Sequence, residues 1–247
     1  YATTRLGQAI HYFPQIGSTN DMARELAQQG AAEGTLVVAE EQTSGRGRRG
    51  RNWLSPAGSG IFASLILRPQ LLPAQAPLLT LTAAVAGAEA IGELTELPVG
   101  IKWPNDLLIN GRKVAGILTE MSAEIDTIFH VIVGIGINVN TDSFPEELTD
   151  VATSLAREGG QPVSRRRLLQ LFLQRLEEWY DLLPAGRDQV LDRWRELSVT
   201  LGRQITVFSS NFTVQGQALD IDQEGALLLQ TTGGEQMRIL SGDVSIR

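Results

Sequence analysis

Asn110-Gly111 sits between two short apolar runs, residues 107–109 and 114–121. Asn-Gly accepts positive φ at both central positions and so closes a two-residue hairpin. A hairpin pairs its strands antiparallel, which excludes a wholly parallel, doubly wound sheet through this stretch. Runs at 9–16, 35–40, 60–67, 99–103 and 128–139 also read as strands. Helical patterns fall irregularly among them: 19–29, 77–94 with Pro77 in its first turn, 164–182 and 186–197. Ser18 is the expected N-cap of the first, with Asp21 as capping-box acid and Gly30 as stop. From Thr200 onward only short strand-like runs remain, separated by Gly, Asn and Asp turns. The prediction is an α+β fold. A mixed, mostly antiparallel sheet with packed helices occupies residues 1–197, and a small C-terminal β-barrel occupies 198–247.

Composition removes several function classes. The 247 residues are 43% hydrophobic and 20% charged, which excludes wholesale disorder. Apolar runs are broken before the ~20 residues a bilayer span requires, so no membrane partner is expected. No signal-peptide pattern opens the chain, which begins at Tyr1 and leaves a preceding segment open. With no Cys, a thiolate nucleophile and a Cys-based metal site are both excluded. His11 lacks an acidic or Ser partner in sequence and His130 lies among Ile and Val, so neither reads as catalytic. A metal would be a hard cation held mainly by oxygens and phosphates, that is Mg²⁺, with no protein ligands assigned. The net charge of −7 argues against nucleic acid as a partner of this chain. A cytoplasmic location is expected.

Of 21 basic residues, 19 are Arg, and the two Lys, Lys102 and Lys113, fall within twelve positions. A compact point charge rather than a planar fork is indicated for at least one of them, with compositional drift as the alternative. Lys102 opens Lys102-Trp103-Pro104-Asn105-Asp106. The hairpin returns Lys113 along the partner strand, so that Asp106 and Lys113 approach; an ordinary cross-strand ion pair would look the same. Gly45-Arg46-Gly47-Arg48-Arg49-Gly50-Arg51 packs four Arg and three Gly into seven residues of an acidic protein. Gly lets backbone approach closely and Arg offers bidentate donors, so the loop suits an anion. Four uncompensated like charges would leave it poorly ordered until one arrives; a solvated loop or an RGG-like contact are the alternatives. Gly134 and Gly136 interrupt a strand of Ile and Val, as a flat ligand against the backbone, a β-bulge or tight packing would require.

Together Ser18-Thr19-Asn20, Gln42, GRGRRGR, KWPND (102–106), RKVAGIL (112–118) and GIGINVN (134–140) resemble the biotin protein ligase family from about residue 11 to the C-terminus. The resemblance implies a ligase-like core with an SH3-like C-terminal domain. The reaction it implies is formation of biotinyl-5′-AMP from biotin and ATP with Mg²⁺, then transfer to a lysine of a biotin carboxyl carrier protein. Lys113, Asp106 and Arg48 would be catalytic, Lys113 at the carboxylate and α-phosphate and Asp106 orienting or deprotonating the carrier lysine. Biotin would meet Ser18, Thr19, Asn20, Gln42, Gly45, Arg46, Gly47, Arg48, Lys113, Gly116 and Gly134. ATP or the adenylate would meet Arg48, Arg49, Arg51, Trp53, Lys102, Asn105, Lys113, Asn138 and Arg247. A lipoate or octanoate ligase, or a biotin-sensing repressor without its DNA-binding domain, are the competing readings. A homodimer paired through sheet edges stays open.

Overall fold

Asn110 and Gly111 both take positive φ, 51° and 78°, and the turn joins β5 (Asp106–Ile109) to β6 (Arg112–Ala123). The computed structural model describes residues 3–209 and 211–246. Its larger sheet has seven strands in the order β1-β2-β3-β7-β6-β5-β4. The remaining members are β1 (Ile10–Phe13), β2 (Leu36–Ala39), β3 (Gly60–Leu67), β4 (Gly100–Lys102) and β7 (Ile128–Asn138). Only β1 and β2 run parallel. The sheet is thus mixed and mostly antiparallel, as expected. β1 is shorter than residues 9–16; it stops before Pro14, which has no N–H to give a ladder.

The two faces of this sheet differ. On one, the Ala- and Leu-rich α2 (Pro77–Thr95) is buried against the strands, with α4 (Arg165–Asp181) and α5 (Arg187–Leu197) packed on it. Residues 73–95 pass for a membrane span by length and composition, contrary to the expectation from run lengths; in the fold α2 is the core helix. On the other face α1 (Thr19–Gln28) covers β2, β3 and β7 with a small cluster of Ala23, Ala27, Val37, Ile66 and Ile132. The short α3 (Leu155–Gly159), absent from the sequence expectations, is capped by Ser154 Oγ accepting from Arg157 N–H.

The C-terminal residues form a second, antiparallel sheet in the order β11-β10-β9-β8-β12. These are β8 (Gln204–Phe208), β9 (Thr213–Ile221), β10 (Leu227–Thr231), β11 (Gln236–Ile239) and β12 (Asp243–Ile246). Trp103 fastens the two sheets together. It is fully buried, its N–H donates to Thr200 Oγ1 (2.9 Å), and its indole Nε1–H donates to the Gly225 carbonyl (3.1 Å).

Candidate active site

A cavity of about 880 Å³ opens on the α1 face, between the start of α1, the Gly-Arg loop and the C-terminal sheet. Its back wall is built by register. Ser64, Gly134 and Leu118 form one cross-strand row, and Phe62, Gly136 and Gly116 the next. The clearance over these glycines, which a ligand or tight packing would each explain, is taken by protein side chains. A Cβ on Gly134 would lie 2.0 Å from Asn20 Oδ1, and one on Gly136 2.5 Å from the Trp53 indole. One on Gly116 would meet Trp53 and the Lys113 ammonium at 3.1 Å.

The floor is a closed set of polar side chains. Thr19 donates to Gln42 Oε1 from both its N–H (2.8 Å) and its hydroxyl (3.0 Å). Gln42 Nε2 donates to Ser55 Oγ (2.9 Å). Ser64 Oγ lies 2.8 Å from Thr19 Oγ1 and 2.6 Å from Asn20 Oδ1. Thr19, Asn20, Ser55 and Ser64 are buried, Gln42 is partly so, and each finds a partner within the protein, which makes a polar surface suited to a small polar ring. Ser18 lines the cavity instead of capping α1: its side chain makes no capping hydrogen bond. The expected capping box does not form, and Asp21 instead pairs with Arg24 (3.1 Å) and Arg46 (3.3 Å).

The loop is not a set of uncompensated charges, which corrects that expectation. Arg46 pairs with Glu120 and Asp21. Arg49 donates to the Phe208 carbonyl (2.7 Å), and both Arg49 and Arg51 pair with Asp243 at the start of β12. Arg48 donates to Asn105 Oδ1 (3.0 Å) and the Gly242 carbonyl (3.3 Å). Burial pushes the Arg48 guanidinium below its ordinary value, as do Arg49 and Arg51, while Asp106 opposes them. Burial pushes the Glu120 carboxyl up, yet Asn20, Arg46 and Arg24 outweigh this and hold it below the usual range. Gly45 stands outside the cavity wall. A Cβ there would strike the Trp53 carbonyl at 2.4 Å, so its place is the neck of the loop. Arg49 likewise turns away, toward the C-terminal sheet.

The reacting end depends on a bulge. Side chains alternate along a strand, and Gly116, Leu118 and Glu120 share the cavity-side face of β6. Unbroken alternation would send Lys113 into the core with Ala115 and Ile117. However, Leu107 pairs with Ala115 and Leu108 with Lys113, leaving Val114 as an extra residue. Val114 and Ala115 both enter the core, and Lys113 returns to the cavity. There its Nζ lies 2.6 Å from Asp106 Oδ1 and 5.2 Å from the centre of the Trp53 ring. Lys102 Nζ stands 3.6 Å from Asp106 Oδ2. Asn105, expected at ATP, lines the cavity and is also a strut: its Nδ2 donates to the Ile117 carbonyl (2.7 Å) while its Oδ1 holds Arg48. Asn138 lines the wall and donates to the Thr153 carbonyl (3.1 Å). Trp53 Nε1 is buried without a protein partner among the described residues. Arg247 lies outside the described residues.

Residues 12–138 match the model of the biotin/lipoate A/B protein ligase family, and 200–247 match the biotin protein ligase C-terminal domain. The chain belongs to the biotin protein ligase family. It is 44% identical to the bifunctional ligase/repressor BirA of Bacillus subtilis, over 99% of this chain and 76% of that protein. It is 36% identical to the biotin–[acetyl-CoA-carboxylase] ligase of Mycobacterium tuberculosis, over 93% and 86%. Among solved structures, the Aquifex aeolicus biotin protein ligase in complex with biotin and ATP superposes with a TM-score of 0.83. That match has 32% identity and covers 97% of this chain and 99% of the other.

Within this ligase fold, sequence reasoning missed Ser64, Glu120 and Asp243. Ser64 had a signal: it is the one hydroxyl in the otherwise apolar strand GIFASLIL. Glu120 and Asp243 had none, since their partners lie 74 or more residues away.

Proposed function

We propose that this ligase joins biotin to ATP as biotinyl-5′-AMP and passes the acyl group to a lysine of a biotin carboxyl carrier domain. The observation that carries the reading is Lys113, Asp106 and Arg48 gathered at one end of a cavity whose other end is a polar floor. In the first step a biotin carboxylate oxygen attacks the α-phosphorus, and the bond to the bridging oxygen of pyrophosphate breaks. Two anions must meet, so positive charge must be waiting where charge builds up. Lys113 supplies it as a point charge, and Arg48 as a partly desolvated fork. In the second step the carrier amine attacks the carboxyl carbon, AMP leaves with the carbon–oxygen bonding pair, and Asp106 accepts the amine proton.

Several finer assignments belong to the same reading. The floor of Thr19, Asn20, Gln42 and Ser64 meets the ureido ring of biotin. Trp53, which lines the cavity, meets the adenylate. Among the described residues no three acidic, His or Cys side chains gather to hold a metal, so Mg²⁺ would arrive on the phosphates of ATP, where it offsets their charge. Residues 1–197 act as the catalytic domain and 198–247 as its C-terminal companion. An ATP-consuming, cysteine-free enzyme suits the cytoplasm.

The test is mass spectrometry after incubation with Mg²⁺-ATP and either biotin, lipoate or octanoate. Biotinyl-AMP and pyrophosphate formed only with biotin support the reading. An adenylate formed with lipoate or octanoate instead would reassign the substrate, and none with any acid would overturn the ligase activity.

A further inference from the structure

Three donors converge on the carboxylate of Glu120. Asn20 Nδ2 donates at 2.7 Å, Arg24 Nη2 at 2.9 Å, and Arg46 reaches it from the loop. Asn20 Oδ1 in turn faces Ser64 Oγ at 2.6 Å, within the polar floor. An unbroken path of hydrogen bonds therefore runs from the floor to the first arginine of the loop, and Glu120 is where the two halves join.

Arg46 is also a structural frame. It pairs with Asn52 across the neck of the loop, and Gly47 N–H donates to the Arg51 carbonyl (2.7 Å). Arg48 projects from this miniature hairpin. Whatever fixes Arg46 thus fixes the base from which Arg48 reaches the reacting end. An isolated exposed ion pair contributes little, about 0–1 kcal/mol. Glu120 differs because its carboxylate is partly buried, satisfied by three donors, and bonded to Asn20, which is itself buried.

We propose that Glu120 is a positioning residue: through Arg46 it holds the loop closed over the biotin end of the cavity, and through Asn20 it ties that closure to the pocket floor. The inference rests on the ligase reading above. Closure of this kind governs how long a water-labile intermediate stays bound.

The test uses the full chain as wild type, Glu120→Gln, Arg46→Gln and the double variant. Each is loaded with biotin and Mg²⁺-ATP, freed of small molecules, and followed for release of biotinyl-AMP. Each single variant is expected to shorten the bound lifetime about tenfold and to raise the KM for biotin. The KM for ATP in pyrophosphate exchange should stay within about twofold. The double variant should lose no more than either single one, because the two residues act as a unit. Glu89→Gln serves as the stability control: Glu89 accepts from Trp179 and Arg193 around α2. It should lower the melting temperature and leave the lifetime unchanged. Additive losses, or an equal loss in Glu89→Gln, would overturn the proposal. A wild-type lifetime in Glu120→Gln would overturn it alone. A folded wild type that forms no biotinyl-AMP would overturn the ligase reading with it.

Discussion

Lys113 Nζ and Asp106 Oδ1 meet at 2.6 Å although they are not cross-strand partners: Asp106 opposes Gly116 and Lys113 opposes Leu108. The bulge at Val114 turns the lysine to the cavity, and the small Gly116 leaves the diagonal between them clear. Replacing Lys113 by Gln should therefore lower adenylate formation about 100-fold or more, with the melting temperature nearly unchanged because the side chain is partly exposed. Lys113→Arg should rescue poorly, since a planar fork does not replace a point charge beside the α-phosphate. Biotin-dependent pyrophosphate exchange measures both.

Gly136→Ala places a methyl group 2.5 Å from the Trp53 indole. The ring must leave the wall. The expected cost is about 1–3 kcal/mol of stability, together with a raised KM for ATP. Tryptophan fluorescence and chemical denaturation report the two effects separately.

Asn105→Ala should act at two points. It leaves the Ile117 carbonyl without its side-chain donor and frees Arg48 from its strut. The first should cost about 1–3 kcal/mol. The second should let biotinyl-AMP escape sooner, as Arg48→Gly should do more severely. Unchanged escape in Arg48→Gly would remove the loop from that role.

The N-terminal segment carries a pH dependence. Glu177 accepts from the N–H groups of Thr4 (2.6 Å), Arg5 (3.0 Å) and Leu6 (2.7 Å). Burial alone would push its carboxyl up, but the amides of Leu6, Thr4 and Arg5 and the Thr4 hydroxyl hold it below the ordinary 4.5. A depressed carboxyl contributes stability that is present above its unfolded value and lost as pH falls through the folded one. Amide protection at residues 4–6, the exchange rate corrected for its intrinsic pH dependence, should fall below about pH 4.5 in the wild type. In Glu177→Gln that protection should be low throughout and flat in that window.

Local chemistry made part of this fold readable. The Asn110-Gly111 turn and the period of α4 each depend on residues a few positions apart. The Gly-Arg loop and the two lysines stood out by residue type alone. What stayed hidden depends on pairing across the chain. Nothing in RKVAG announces that Val114 is supernumerary, because the bulge exists only against Leu107 and Leu108. Asp243 resembles any turn acid until the C-terminal sheet docks and sets it against Arg49 and Arg51. Ser18 carries a helix-cap signature but faces the cavity, so a local preference yielded to the site.

The unequal faces of the larger sheet have a consequence for the protein's lifetime. On the α2 side apolar burial is extensive; on the cavity side glycines, Ser64 and paired polar groups leave less to hold the layers together. A substrate that fills the cavity binds only the folded form. At one hundred times its dissociation constant it would add roughly 2.7 kcal/mol to folding. Well-supplied cells would then shelter this enzyme from proteolysis, and scarcity would thin its numbers without any change in its synthesis.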